Sequence, residues 1–178
     1  GQALKNSILR AVSGGPIYVS DKIGRSRREL LEPLALSDGK ILRCDRCAVP
    51  TNDCATTDPR INGFIFKIQN IASGSGIIPA FNLDSEEKTV TGSISPSDVY
   101  DIVGDEFAVY EHFSRELKIM KRSEKFDLSL TGKDDFRLYV IVPITDGFAP
   151  IGLIDKFISP KTIKSVIGEN VELEDDGT

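Results

Sequence analysis

Phe64-Ile65-Phe66-Lys67-Ile68-Gln69 reads as a strand: Phe64, Phe66 and Ile68 alternate with Ile65, Lys67 and Gln69, a period of two that makes a half-buried element. Gly74-Ser75-Gly76 then turns the chain into Ile77 to Leu83, and the two runs predict a hairpin. The same mode continues downstream. Thr89 to Ile94, Glu106 to Phe113, Glu116 to Lys121 and Phe126 to Thr131 are expected strands, the last with Phe126, Leu128 and Leu130 inward. Arg137 to Ile144 is the longest and is expected to be central, and Phe148 to Ile158 is expected to continue as β although Pro150 and Gly152 interrupt it. Ser95-Pro96-Ser97-Asp98 and Gly132-Lys133-Asp134 are turn sequences. Short strands at this spacing predict a mainly β protein, with an antiparallel β-sandwich over residues 63–160 and a C-terminal tail over 161–178 whose acidic end starts at Glu172. Phe64, Phe66, Phe81, Phe126, Leu138, Val140 and Phe148 are its expected core, each worth ~1.5–3 kcal/mol when fully buried.

Upstream of residue 46 the pattern changes. Residues 2–11 have helical spacing, with Leu4, Ile8 and Ala11 on one face, and Gly14-Gly15 ends the helix. Pro16-Ile17-Tyr18-Val19 is too uniformly apolar to have a wet face and reads as a buried parallel strand. Residues 26–32 predict a helix with Ser26 as N-cap and Glu29 at the capping-box position, strained by Pro33. Ser37-Asp38-Gly39 leads into a short strand, Lys40 to Arg43. Residues 1–45 therefore read as a short α/β remnant, and 46–62, rich in Pro, Asp, Asn and Thr, as a crossover loop.

Composition narrows the function. Of 178 residues 40% are hydrophobic and 28% charged, ordinary values for a globular protein. A net charge of -5 and a pI near 5.0 argue against nucleic acid as a partner, and the basic clusters Arg25-Ser26-Arg27-Arg28 and Lys118 to Arg122 are short enough to be solvated faces. No apolar run approaches the ~20 residues that span a bilayer, so no membrane association is expected. The N-terminus lacks signal-peptide character and the 3 cysteines are an odd number, so the expected location is cytoplasmic.

Few residues invite chemistry. Cys44-Asp45-Arg46-Cys47 with Cys54 has the spacing of half a zinc site, but the single histidine, His112, lies far along the chain; ordinary thiols are the expectation, with no metal and no cofactor. Asp134-Asp135 reads as a hairpin turn, because adjacent residues at a strand start point opposite ways and would not flank a glycosidic bond. His112, with no nucleophile motif nearby, reads as a structural imidazole. Asp21 ends the expected buried strand, the position that carries binding and catalytic groups in barrel enzymes, and it reads equally as a loop carboxylate.

Ser13-Gly14-Gly15-Pro16-Ile17-Tyr18-Val19-Ser20-Asp21-Lys22 resembles a signature near the end of the catalytic domain in the raffinose synthase and seed imbibition protein family, grouped with the α-galactosidases of glycoside hydrolase family 36. The resemblance extends through Pro50-Thr51-Asn52-Asp53-Cys54, Asp58-Pro59, Phe64 to Asn70, Gly76 to Asn82, Ala108 to His112 and Phe148 to Ile154, in the family's order. It implies a (β/α)8 barrel followed by an antiparallel β domain, acting on α-galactosides with retention through two aspartates. Those aspartates lie on barrel strands upstream of the signature, so the resemblance implies that this chain holds the last strands and helix of the barrel and no catalytic residue. Ser13, Gly14, Gly15, Ser20 and Asp21 are then the positions expected to line the sugar pocket. The implied partners are an α-galactoside-type carbohydrate for the complete enzyme and the upstream barrel domain. Asn6, Val49 and the shortened stretch between Leu83 and Thr89 depart from the family pattern and bear on substrate identity; transfer to sucrose is not carried over. A non-catalytic β-sandwich that binds carbohydrate or protein is the alternative. Without barrel neighbours Ile17, Tyr18 and Val19 must repack on the β domain, stay disordered or join a second copy as a homo-oligomer.

Overall fold

Period-two alternation builds the centre of the molecule and covers both of its faces. The computed structural model describes residues 2–174. Its strands are β1 (Val49–Pro50), β2 (Phe66–Ala72), β3 (Ser75–Phe81), β4 (Val90–Ile94), β5 (Glu106–Glu111), β6 (Leu117–Lys121), β7 (Phe126–Leu130), β8 (Phe136–Pro143), β9 (Ile163–Ile167) and β10 (Asn170–Leu173). Six of them form one antiparallel sheet in the order β1-β2-β3-β8-β5-β6, so β8 is central, as its length and apolar run predict. β4 pairs with β7 in a separate two-stranded ladder that closes the sandwich.

The large sheet divides two cores. On one face Ile78, Ala80, Phe107, Val109, Tyr139 and Ile141 meet Val90, Ile94 and Leu130 of the β4–β7 layer. On the other, Ile77, Phe81, Ala108, Tyr110, Leu138, Val140 and Val142 meet Ile8, Ala11 and Val12 of α1 (Gln2–Val12), with Leu34, Leu42, Phe157 and Ile158. α1 thus packs its predicted apolar face on the β domain. The opposite pattern of odd and even residues on β3, β5 and β8 explains why their runs read as nearly continuous apolar sequence.

The buried carboxamide of Asn70 fastens α1 to the sheet. Its Nδ2 donates to the Val12 carbonyl at 2.7 Å and to the Arg46 carbonyl at 2.6 Å, while its Oδ1 accepts from the Ile71 N–H at 2.8 Å. Gly14 makes this approach possible: it follows the helix with φ of +76°, and a Cβ there would stand 1.8 Å from the Arg46 carbonyl oxygen.

Several expectations are corrected. Residues 15–20 and 40–44 form no ladder; the second segment makes only the single bridge between Ala35 and Ile41. A buried parallel strand needs hydrogen-bonding neighbours, and none of the described residues supplies one, so Tyr18 stands 75% exposed and Ile23 fully exposed. The helix α2 (Arg28–Leu31) is only one turn, with Arg27 rather than Ser26 at its N-cap and no capping side chain. Pro33 diverts it into a 3-10 turn, Glu32–Leu34, because its ring lacks the N–H that a continuing α-helix uses.

In β2 the buried set includes Lys67 and Gln69, and Phe64 is exposed, because the β4–β7 layer covers the face assigned to solvent. Phe81, Leu138 and Val140 are buried as expected, while Phe66, Phe126 and Phe148 are half-buried. Residues 148–158 are irregular: at Gly152, with φ of +89°, a Cβ would meet the Ser159 carbonyl oxygen at 2.1 Å, so the segment folds tightly on itself instead of extending. Residues expected as tail form a β9–β10 hairpin in which Asn170 pairs with Ile167 around a two-residue Gly168-Glu169 turn. The part of the acidic tail beyond Glu174 lies outside the described residues.

Gly14→Ala is expected to destabilise the chain by at least ~2 kcal/mol, since strain at positive φ and a backbone collision act together. Gly15→Ala, whose Cβ would meet only the Ser13 hydroxyl at 3.6 Å, is expected to change stability by under ~0.5 kcal/mol. Urea denaturation of the two variants checks the contrast.

Candidate functional site

The signature residues divide into two groups. Ser13, Gly14 and Gly15 close the end of α1: the Ser13 hydroxyl donates to the Arg10 carbonyl at 2.8 Å and accepts from the Gly15 N–H at 3.2 Å, and the Ser13 carbonyl accepts from the Ala48 N–H at 3.2 Å. Their hydrogen bonds are spent inside the chain. Ser20 and Asp21 lie on the exposed irregular segment that follows. Asp21 borders a small cavity of about 180 Å³ with Asn6, Arg10 and Val19, between α1 and the α2 region.

The cysteines do not converge. Cys44 and Cys54 are buried and Cys47 is exposed, and all three are free. No group of three or more His, Cys, Asp or Glu able to hold a metal occurs among the described residues. Burial pushes the Cys44 thiol up to about 12, with Asp45 adding to the effect, so it is protonated and unreactive at neutral pH. Asp135 serves the hairpin turn, accepting from the Thr131 N–H at 2.9 Å and pairing with Arg137.

His112 is packed edge-on against Phe113 and Phe157, with ring centroids at 4.8 and 5.3 Å, and its Nδ1 has no hydrogen-bond partner among the described residues. Burial, helped by the Arg115 charge, lowers its pKa to about 4. A neutral imidazole wedged between two phenyl rings fits a structural residue.

The polar centre that sequence reasoning missed is built on Lys67. Its side chain is 1% exposed, and its Nζ donates to Asp98 Oδ2 at 2.8 Å, Asp53 Oδ2 at 2.9 Å and the Ser93 carbonyl at 2.7 Å. Burial alone would lower the Lys67 pKa, but the hydrogen bonds and charges of Asp98 and Asp53 outweigh it and hold the ammonium above its usual value. Burial likewise pushes Asp53 up, and the Thr51 hydroxyl, at 2.6 Å, together with Lys67 brings it below the usual carboxylate range.

Asp98 is doubly held, because its Oδ2 also accepts the Ser95 N–H in the capping box of the Pro96–Asp98 turn. Cys54 joins the same knot: its thiol donates to the Ile65 carbonyl at 3.2 Å and accepts the Lys67 N–H at 3.4 Å. The stretches Pro50 to Cys54 and Phe64 to Asn70, far apart in kind, are therefore one structure that ties the crossover loop to β2. A lysine inside an apolar strand, with Asp53 and Asp98 flanking it in sequence, was the available signal.

The described residues thus define a mainly β unit that shares its core with one helix, braced by a buried lysine and its two carboxylates. The chain belongs to the family described as raffinose synthase or seed imbibition protein Sip1, whose model matches residues 5–177. It is 41% identical over 172 residues to a galactinol–sucrose galactosyltransferase of Oryza sativa subsp. japonica, covering 81% of this chain and 22% of that protein. It is also 36% identical over 188 residues to a galactinol–sucrose galactosyltransferase of Pisum sativum, with 88% and 23% covered, and 31% identical over 185 residues to the stachyose synthase of that plant, with 86% and 22% covered. The chain therefore spans under a quarter of the length of these curated relatives, and the part it matches is their C-terminal portion.

The His112 arrangement sets a pH dependence. The unfolded chain protonates this imidazole near pH ~6.5 and the folded chain only near 4, so between these values the unfolded state holds the extra proton and stability falls as pH falls. The full loss is about 3 kcal/mol, complete below pH 4. Denaturation midpoints measured from pH 7.5 to 4 are expected to fall more steeply in the parent chain than in His112→Leu, where this contribution is removed.

Proposed function

We propose that this chain is the C-terminal region of an enzyme acting on α-galactosides, that the catalytic aspartates of that enzyme lie outside it, and that its β domain braces the catalytic barrel. The observation that carries this reading is the segment between α1 and α2. It is irregular and leaves Tyr18, Val19 and Ile23 uncovered, 75%, 44% and 100% exposed, beside the polar pair Ser20 and Asp21. An apolar run that leads into an exposed carboxylate suits a strand completed by barrel neighbours, with its polar end at the sugar pocket. In this reading Asp21, with Ser20 beside it, contacts the carbohydrate, while Ser13, Gly14 and Gly15 position the segment by ending α1. The galactosyltransferase and stachyose synthase names of the relatives support an α-galactosyl donor as the substrate class. Hydrolysis and transfer use the same retaining chemistry up to the choice of acceptor.

This chain alone is expected to release no galactose from a chromogenic α-galactoside and to transfer none from galactinol to sucrose; turnover by it would overturn the assignment of the aspartates. The whole gene product is expected to turn over one of these substrates, and Asp21→Asn in it to lose roughly 10- to 100-fold in kcat/KM, the cost of a hydrogen bond to a charged group. Unchanged kinetics in that variant would remove Asp21 from the pocket.

A further inference from the structure

The outer face of the β4–β7 ladder carries a second polar site, on the opposite side of the large sheet from α1. Residues 63–65 extend this ladder: the Thr91 N–H donates to the Gly63 carbonyl at 3.1 Å and the Ile65 N–H to the Thr91 carbonyl at 3.2 Å, with Phe64 and Thr91 forming a parallel bridge. Alternation sends Ile65 inward under Gly92, where an added Cβ would lie 3.3 Å from it, and leaves Phe64 outward and 55% exposed. In the same register Thr91 stands opposite Ser129 and Ser93 opposite Asp127, while Val90, Ile94 and Leu130 are buried. The outer face thus presents one aromatic ring, three hydroxyls and a carboxylate. Asp53 and Thr57 of the crossover loop close its side, forming an open groove of about 630 Å³.

The groove is built to hold its polar groups still. Asp53 is fixed by the Thr51 hydroxyl on one oxygen and by Lys67 on the other, yet its side chain remains 53% exposed. Among the described residues no basic side chain lines the groove, and the Lys67 ammonium beneath it is fully engaged. Asp127 has no basic partner among the described residues, and Asp53 shares its partner Lys67 with Asp98, so the groove keeps a net negative charge that repels phosphates and other anions. A purely apolar partner would desolvate the hydroxyls and carboxylates without pairing them, which costs free energy. A pyranose satisfies both halves of the surface. Its C–H face covers the Phe64 ring, and its hydroxyls donate to the carboxylates and exchange hydrogen bonds with Thr91, Ser93 and Ser129.

We propose that this groove is a non-catalytic binding site for a neutral pyranose, with Phe64 as the stacking platform and Asp53 and Asp127 as acceptors of its hydroxyls. The site stands independently of the enzymatic reading above, because its residues are separate from Ser20 and Asp21 and it exists in this chain alone. Amide correlation spectra of the chain, titrated with methyl α-D-galactopyranoside and separately with tetramethylammonium chloride, test it. Millimolar glycoside is expected to shift the amides of residues 53–57, 63–65, 91–93 and 127–129 and to leave α1 unmoved.

Phe64→Ala is expected to weaken binding about fivefold and Asp127→Asn by a similar factor, with unfolding temperatures unchanged because both side chains are exposed. No shift with the glycoside, shifts that both variants leave intact, or an equal response to tetramethylammonium, which would mark a cation site, would each overturn the proposal. Glycoside shifts in a chain whose whole gene product proves inactive would support this site while removing the enzymatic reading.

Discussion

The side-chain amide of Asn70 is the contact on which the N-terminal third of the structure depends. One buried NH2 group satisfies two carbonyls from different segments, that of Val12 at the end of α1 and that of Arg46 in the crossover loop. Leaving either carbonyl unpaired in the interior costs about 1–3 kcal/mol, so the two bonds select a single docking geometry for the helix. Gly14 is the steric counterpart of this contact, since only a residue without Cβ lets the chain pass the Arg46 carbonyl. Together they let Ile8, Ala11 and Val12 share a core with Phe81 and Leu138 of the β domain, so the α1 region is held even where residues 15–20 form no ladder.

A second polar knot does for the crossover loop what Asn70 does for the helix. Lys67 is a buried cation, and such a charge is tolerated only with its partners in place; here two carboxylates and a carbonyl surround it. The loop from Thr51 to Cys54 is thereby pinned against β2, and the β4–β7 layer is reached through Ser93 and Asp98. The same arrangement leaves Asp53 rigid at the wall of an open groove. Stability and ligand chemistry are joined at that residue.

The strands between Phe66 and Pro143 were legible because alternation and turn residues agree there; even the central place of β8 followed from its length. The inward face of β2 was not, because a lysine and a glutamine at buried positions look like a solvent face until the carboxylates that accept the lysine are known. The segment from Pro16 to Val19 differs for the opposite reason: its apolar sequence fits a buried strand, but a strand needs hydrogen-bonding neighbours, and the described residues of this chain supply none. The β9–β10 hairpin was hidden by its acidic end, although Gly168-Glu169 between two β-forming runs marks a tight turn. Of the signature residues, the family resemblance singled out Ser13 to Gly15 together with Ser20 and Asp21, and only the geometry separated the three that cap a helix from the two that face solvent.

α1 belongs to the β domain's core through Asn70, while the segment after it stays open. Native-state hydrogen exchange of this chain measures that directly. Amides in the last two turns of α1 are expected to exchange as slowly as those of β3, and amides of residues 17–24 to exchange near the unprotected rate. Rapid exchange throughout α1 in the folded chain, or protection of residues 17–24 equal to that of β3, would rule this arrangement out.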